Sequence, residues 1–394
     1  MILESMFKRR RLAYQLHPRA PVKSRFARLQ RDAVFALLVL LLAGGTVFAL
    51  ASGGAALERQ AHAAGTTPPP RTNLVIGQAR VIVDKVASSD AGLMQPAVDQ
   101  RGNIWVGEMY ANRFARFDSQ NEAITTWVAP HGNDGIMDTT VDAQGHPWFV
   151  EQDANYIARF DPASHTFHLF PLGKVGGRPL GPQDLQFDQK GMLWFTASVA
   201  GRIGRLDPVT GKIQTWPVPA PAPGLSASPY SLAVTPGGQV WFGLLSGGAI
   251  GHLDPATGHV TLYHLADPQA QIFSMASDRH GRIWFTEMVP GKLGLFDPST
   301  QKITEIPVPA IAGHPAALYG LIITPGGDIW CANSGANALV RYTPATVTFT
   351  FYQLSTTYGG LYGLALDSTV RLWFTIDGNS ANFIGDLSTQ GKGT

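Results

Sequence analysis

The chain has 394 residues, 30 Lys and Arg against 28 Asp and Glu, and one cysteine, Cys331, so no internal disulfide can form. Charged residues make up only 15 % of it, while 43 Gly, 28 Pro and 20 Phe suit short strands and tight turns. The net charge of +2 belongs to one end: residues 1–32 hold nine Lys or Arg against Glu4 and Asp32, a balance of +7, which leaves −5 for the rest and no basic face to expect for nucleic acid.

In chain order, that basic stretch (1–32) reads as a cytoplasmic tail. Residues 33–57 come next without a charge, 25 in a row, long enough for one transmembrane helix. The basic flank on their N-terminal side places the downstream chain outside the cytoplasm. A cleaved signal sequence ending at Ala61-His62-Ala63 is the other reading, and it also puts the remainder outside. Residues 58–77, with Pro68, Pro69 and Pro70 in a row, read as a Pro-rich linker.

Residues 78–394 repeat. The anchor is a Trp at positions 105, 148, 194, 241, 284, 330 and 373, with spacings of 43, 46, 47, 43, 46 and 43 residues. Each repeat reads as an apolar run, a Gly-rich hairpin turn, a run holding the Trp, a polar loop, a third run, an Asp-Pro or similar turn, and a fourth run. This predicts an all-β, seven-bladed β-propeller of four-stranded blades, preceded by the one transmembrane helix. The last repeat stops after its third run, and Arg80 to Val86 is an orphan strand-like segment. Open sheet edges are costly to leave, so this segment is expected to be the outer strand of blade seven. Cys331 stands where most repeats have Phe after the Trp, which suits a buried, inert thiol.

Propeller geometry then sorts the side chains. The residues eleven before each Trp should line the channel: Met94, Met137, Gln183, Tyr230, Phe273, Tyr319 and Tyr362. At one mouth the loops between the second and third strands contribute Glu108, Glu151, Glu287 and Asp377, and the loops between blades contribute His131, Arg178 and His314. Acids, histidines and tyrosines together suit a small molecule, a glycan or a divalent ion. Each also has a plainer use: acids opening Gly/Asn-rich loops accept backbone N–H bonds, His131 lies in the turn-like PHGND, and tyrosines can simply fill a channel. His146, His252, His259 and His280 fall elsewhere in the repeat and read as surface residues. No nucleophile elbow, phosphate loop or zinc spacing is present.

The repeats GNIWVGEMYANRFARFD and GRIWFTEMVPGKLGLFD, with the trailing ITEIPVP, resemble the blades of the streptogramin B (virginiamycin B) lyases, and more loosely NHL-type propellers. The resemblance covers the propeller and not the basic tail or the apolar segment. It implies a Mg²⁺-assisted C–O elimination that opens a cyclic depsipeptide, with a His base at the inner ring of the last two blades. It also implies an acid two residues before the final His and another after the last Trp-Phe. At the two ring positions this chain has Tyr319 and Tyr362, and Gly360 stands two before Tyr362; Asp377 alone matches, as the candidate Mg²⁺ ligand. Two functions are compatible with this. One is a monomeric, anchored propeller binding a small molecule, glycan or protein at its channel mouth through Tyr230, Tyr319, Tyr362, Glu108, Glu151, Glu287 and His131. The other is an active lyase or ester-acting enzyme, with His314 and Tyr362 as the catalytic pair.

Overall fold

The computed structural model describes residues 71–76, 80–82, 91–131, 135–288, 291–354, 360–377 and 382–388. The tail and the candidate membrane segment lie outside these; among the described residues no helix is long and apolar enough to cross a membrane. The compact unit that holds the propeller runs from Pro70 to Thr394.

Two strands, β1 (Arg71–Ile76) and β2 (Arg80–Ile82), precede the first blade. Blade one is β3 to β6 (Leu93–Val98, Ile104–Glu108, Arg113–Phe117, Ile124–Val128). Blade two is β7 to β10 (Ile136–Val141, Pro147–Glu151, Tyr156–Asp161, Thr166–Pro171). A short hairpin of β11 (Lys174–Val175) and β12 (Arg178–Pro179) leads to blade three, β13 to β16 (Pro182–Phe187, Leu193–Ala197, Arg202–Leu206, Ile213–Pro217). Blade four is β17 to β20 (Pro229–Val234, Val240–Leu244, Ala249–Asp254, His259–His264). Blade five is β21 to β24 (Ile272–Ser277, Ile283–Glu287, Lys292–Asp297, Lys302–Pro307). Blade six is β25 to β28 (Leu318–Ile323, Ile329–Asn333, Ala338–Thr343, Thr348–Gln353). Blade seven opens with β29 (Leu361–Leu366), β30 (Arg371–Asp377) and β31 (Asn382–Ser388).

The ring closes as the orphan segment suggested. β2 pairs antiparallel with β31, Arg80 opposite Asp386 and Ile82 opposite Ile384, so blade seven carries strands from both ends of the domain. Only Arg80–Ile82 of the expected Arg80 to Val86 is described as strand. Trp373 of blade seven packs in one cluster with Leu93, Ile104, Val106 and Phe117 of blade one, which seals the same junction with apolar contact.

β1 corrects the linker boundary. Residues 71–76, expected inside a spacer, add a fifth strand in parallel to the outer edge of blade six, Arg71 opposite Thr348 through Ile76 opposite Gln353. The Pro run ends at Pro70, so from Arg71 onward every residue has an amide to pair, and the open edge of β28 supplies carbonyls.

Three repeated devices explain the sequence pattern. The first is the anchor itself. In five blades an Asp six residues before the Trp caps the hairpin between first and second strands with one oxygen and takes the indole N–H with the other; Asp188 accepts from Lys190 N (2.8 Å), Met192 N (3.0 Å) and Trp194 Nε1 (2.9 Å). Asp99, Asp142, Asp278 and Asp367 repeat this. The second is size matching between second and third strands. In blades three, four, five and seven the Phe after the Trp lies over a Gly, as Phe195 over Gly204, where a Cβ would come within 2.1 Å of the ring. In blade six the smaller Cys331 faces the larger Val340, so the buried thiol is a matter of volume. The third is a register shift in every first strand at the channel-facing residue, as between Pro182 and Leu185; the bulge turns that side chain toward the axis.

Candidate functional site at the channel

The bulged first strands are tied to one another, and this is what holds the ring residues. A Thr two after the Trp donates to the carbonyl of the next blade's ring residue: Thr196 Oγ1 to Tyr230 O (3.2 Å), Thr286 Oγ1 to Tyr319 O (2.8 Å) and Thr375 Oγ1 to Met94 O (3.0 Å). The residue after the ring position also reaches its neighbour. Asp138 accepts from Leu185 N (3.0 Å), Asp184 from Leu232 N (2.7 Å) and Ser274 from Leu321 N (3.1 Å), while Gln95 donates to Leu364 O (2.7 Å) across the closure.

On that frame four aromatic rings meet in the channel. Tyr230 packs on Phe273 (5.1 Å between centroids), Phe273 on Tyr319 (4.7 Å) and on Tyr362 (5.4 Å), and Tyr319 on Tyr362 (5.5 Å). Tyr230 and Tyr362 lie close enough that each bears on the ionisation of the other. Burial pushes the pKa of Tyr230, Tyr319 and Tyr362 above the usual phenol range, and Asp377 adds to the rise at Tyr319. All three are neutral phenols at pH 7, good hydrogen-bond donors and poor bases.

Next to this cluster lies a pair of acids that sequence reasoning missed. Asp138 and Asp184 stand directly after ring positions Met137 and Gln183, and they hydrogen-bond each other. Burial raises both, and the charge and hydrogen bond of Asp184 raise Asp138 further. The repeated ring-position–Asp dipeptide in adjacent blades was the available signal.

The acids expected at the mouth are placed differently. Glu108, Glu151 and Glu287 are 0 % exposed. Each ends its second strand and turns back on its own blade: Glu108 binds Arg113 (2.6 Å), and Glu287 lies 3.6 Å from Lys292, which is held more closely by Glu305 (2.6 Å). In blade two Tyr156 stands where Arg113 and Lys292 stand in theirs, and His131 from the preceding loop is the partner of the acid instead: its Nδ1 is 2.7 Å from Glu151 and its ring stacks on Tyr156 at 4.4 Å. Burial raises Glu108 and Glu151 against these partners, and burial with the charge of Glu305 raises Glu287 to about 7. These three carboxylates therefore brace the loops between second and third strands, while Glu108 Oε1, Glu151 Oε1 and both Glu287 oxygens stay buried without a hydrogen-bond partner.

Of the other expected residues, His314 is exposed in the loop between blades five and six, its backbone bridged to Ile311. Arg178 lies in the hairpin before blade three and is exposed. Asp377 ends β30 and is half-buried, with its amide on Gly360 O (2.9 Å) and its charge felt at Tyr319. Among the described residues no group of three His, Cys, Asp or Glu is arranged to hold a metal ion. The donor set does not fit Mg²⁺, which wants oxygen ligands in an octahedron: Glu108, Glu151 and Glu287 are turned inward, and Asp377 is not joined by two more such groups.

The fold and site define a seven-bladed propeller whose axial channel is crossed by a packed cluster of tyrosines. Residues 80–385 match the virginiamycin B lyase family, and the chain belongs to it. It is similar to virginiamycin B lyase from Staphylococcus aureus at 22 % identity and a TM-score of 0.69, over 79 % of this chain and 100 % of that one. A streptogramin B lyase structure aligns at 23 % identity and 0.68, over 78 % and 97 %. The catalytically inactive S. aureus enzyme solved with quinupristin aligns at 22 % and 0.69, over 79 % and 100 %. At these identities the likeness is one of fold. A search of curated protein sequences finds no match.

Proposed function

We propose that this chain is a ligand-binding member of the family: a membrane-anchored, extracytoplasmic propeller that takes a small molecule or glycan at its channel mouth and lacks efficient lyase activity. The observation that supports this reading is the tyrosine cluster. An elimination needs a base to remove the proton, a contribution of typically ~10²- to 10⁴-fold. At the two ring positions where the family resemblance calls for His, this chain has Tyr319 and Tyr362, both shifted toward the neutral phenol by burial. Neutral phenols beside the Asp377 carboxylate instead suit a ligand with several hydroxyl or carbonyl groups.

The test is incubation of the purified full-length chain with a streptogramin B and Mg²⁺, then mass spectrometry. The expected result is intact antibiotic. Ring-opened product that disappears in His314→Ala would overturn the reading and make His314 the base. For location, a C-terminal reporter should be active outside the cytoplasm and fractionate with membranes; a soluble mature chain beginning near Ala64 would instead mean a cleaved signal sequence.

A further inference from the structure

Blades four and six break the anchor rule, and Trp241 and Trp330 each keep an unpaired Nε1; blade four is the one of the two that borders the cavity lined by Thr235 and Trp241. Thr235 replaces the hairpin Asp, and its hydroxyl accepts from Gln239 N (3.0 Å). Trp241 is still 4 % exposed, and its Nε1 has no hydrogen-bond partner. A buried donor left unpaired costs roughly 1–3 kcal/mol, so an orphan of this kind calls for an explanation.

The explanation lies beside it. The hairpin of blade four borders a cavity of about 510 Å³ that continues to the hairpin of blade five, on the propeller face opposite the channel mouth. Thr235, Gln239, Trp241, His252, Arg279 and His280 are in its wall, and no Asp or Glu is. The wall's polar groups are biased toward donors. The Gln239 carbonyl is taken by His252 Nε2 (2.7 Å), which leaves its amide N–H groups. His280 Nε2 is taken by Arg279 Nε (3.1 Å), which leaves the terminal N–H groups of the guanidinium. His252 lies against Trp241 with 4.5 Å between ring centroids, tilted by 34°, and burial lowers its pKa against the opposing charge of Asp254. His252 and His280, read from the sequence as plain surface residues, are thus cavity residues.

We infer that this cavity is a second ligand site, for a small organic carboxylate whose oxygens accept from Trp241 Nε1 and the Arg279 guanidinium. The ligand's carboxylate takes the place that an aspartate fills in five other blades. That chemistry fits the wall: an indole, an amide and a guanidinium line one cavity with no Asp or Glu among its lining residues, and a charge-assisted bond to a planar guanidinium is among the stronger available.

The experiment uses the full-length chain labelled with ¹⁵N at its indoles, titrated with benzoate and, as the neutral analogue, benzamide. The Trp241 N–H signal is identified by its loss in Trp241→Phe. It should shift saturably with benzoate and stay still with benzamide. Arg279→Gln should weaken binding about tenfold or more, since bonds to charged groups contribute about 1.5–3 kcal/mol. Thr235→Asp should abolish the titration, because a resident carboxylate takes the N–H as in the other blades; Thr324→Asp, the same change in blade six, should leave it intact. No saturable benzoate shift would overturn the inference, as would a benzamide shift of equal size or full binding by either Arg279→Gln or Thr235→Asp.

Discussion

Replacing Asp188 by Thr in blade three copies what blades four and six already carry at Thr235 and Thr324. Asp188 makes three bonds, and Thr can recover one of them: Thr235 and Thr324 each accept a hairpin amide, from Gln239 N and Asp328 N. The second hairpin amide can turn to water. The bond that cannot be replaced is the one from Trp194 Nε1, because Trp194 is 2 % exposed. A buried donor left unpaired costs about 1–3 kcal/mol. Unfolding entropy per residue, scaled to a domain this long, converts that to a fall of roughly 2–5 °C in Tm. Scanning calorimetry reads it directly, and near-UV circular dichroism should report the change around one indole. The reverse change, Thr324→Asp, should raise Tm by a similar amount by giving Trp330 Nε1 its partner. An unchanged Tm in Asp188→Thr, or a fall in Thr324→Asp, would refute the claim that this aspartate serves the indole.

Glu287, raised to about 7 by burial and Glu305, should contribute stability that is complete below its unfolded pKa and lost as pH rises through 7. Glu287→Gln should flatten that loss, worth up to roughly 3 kcal/mol, in melts run from pH 4.5 to 8. Asp138, also raised, has the same sign, so Asp138→Asn should melt close to the parent in acid and lose less stability than the parent as pH rises, whereas Asp138→Leu should lose several degrees by stranding the amide of Leu185. Deleting residues 71–82 removes β1 from blade six and β2 from blade seven together, and should abolish a single cooperative transition; a sharp, unshifted melt would show that closure does not rest on these strands.

The fold could be read from the sequence because its defining contacts are local and repeated. A Trp, its hairpin Asp and the Gly opposite the next Phe all lie within one blade, so every repeat restates the same short-range geometry. The closing strand was inferable because a missing fourth run and a surplus strand had to cancel. β1 was hidden by the same logic: it is a fifth strand, outside the repeat, and no count required it. The Asp138–Asp184 pair left a trace, an Asp ten before the Trp in two adjacent repeats, but that the two side chains meet depends on packing between blades, which spacing within a repeat does not give.

The mouth acids were misplaced for a related reason. The end of a second strand looks exposed from the sequence, since a polar loop comes after it. In the folded blade it is the point where the second and third strands turn, and Glu108, Glu151 and Glu287 are driven inward against Arg113, His131 and Lys292. His131 makes the case clearest: it comes from a different loop and serves the blade whose third strand begins with Tyr156 in place of a cation. What remains facing the channel is a set of neutral phenols, with Asp377 near Tyr319. Hydrogen-bond donors beside carboxylates can recognise a polar ligand.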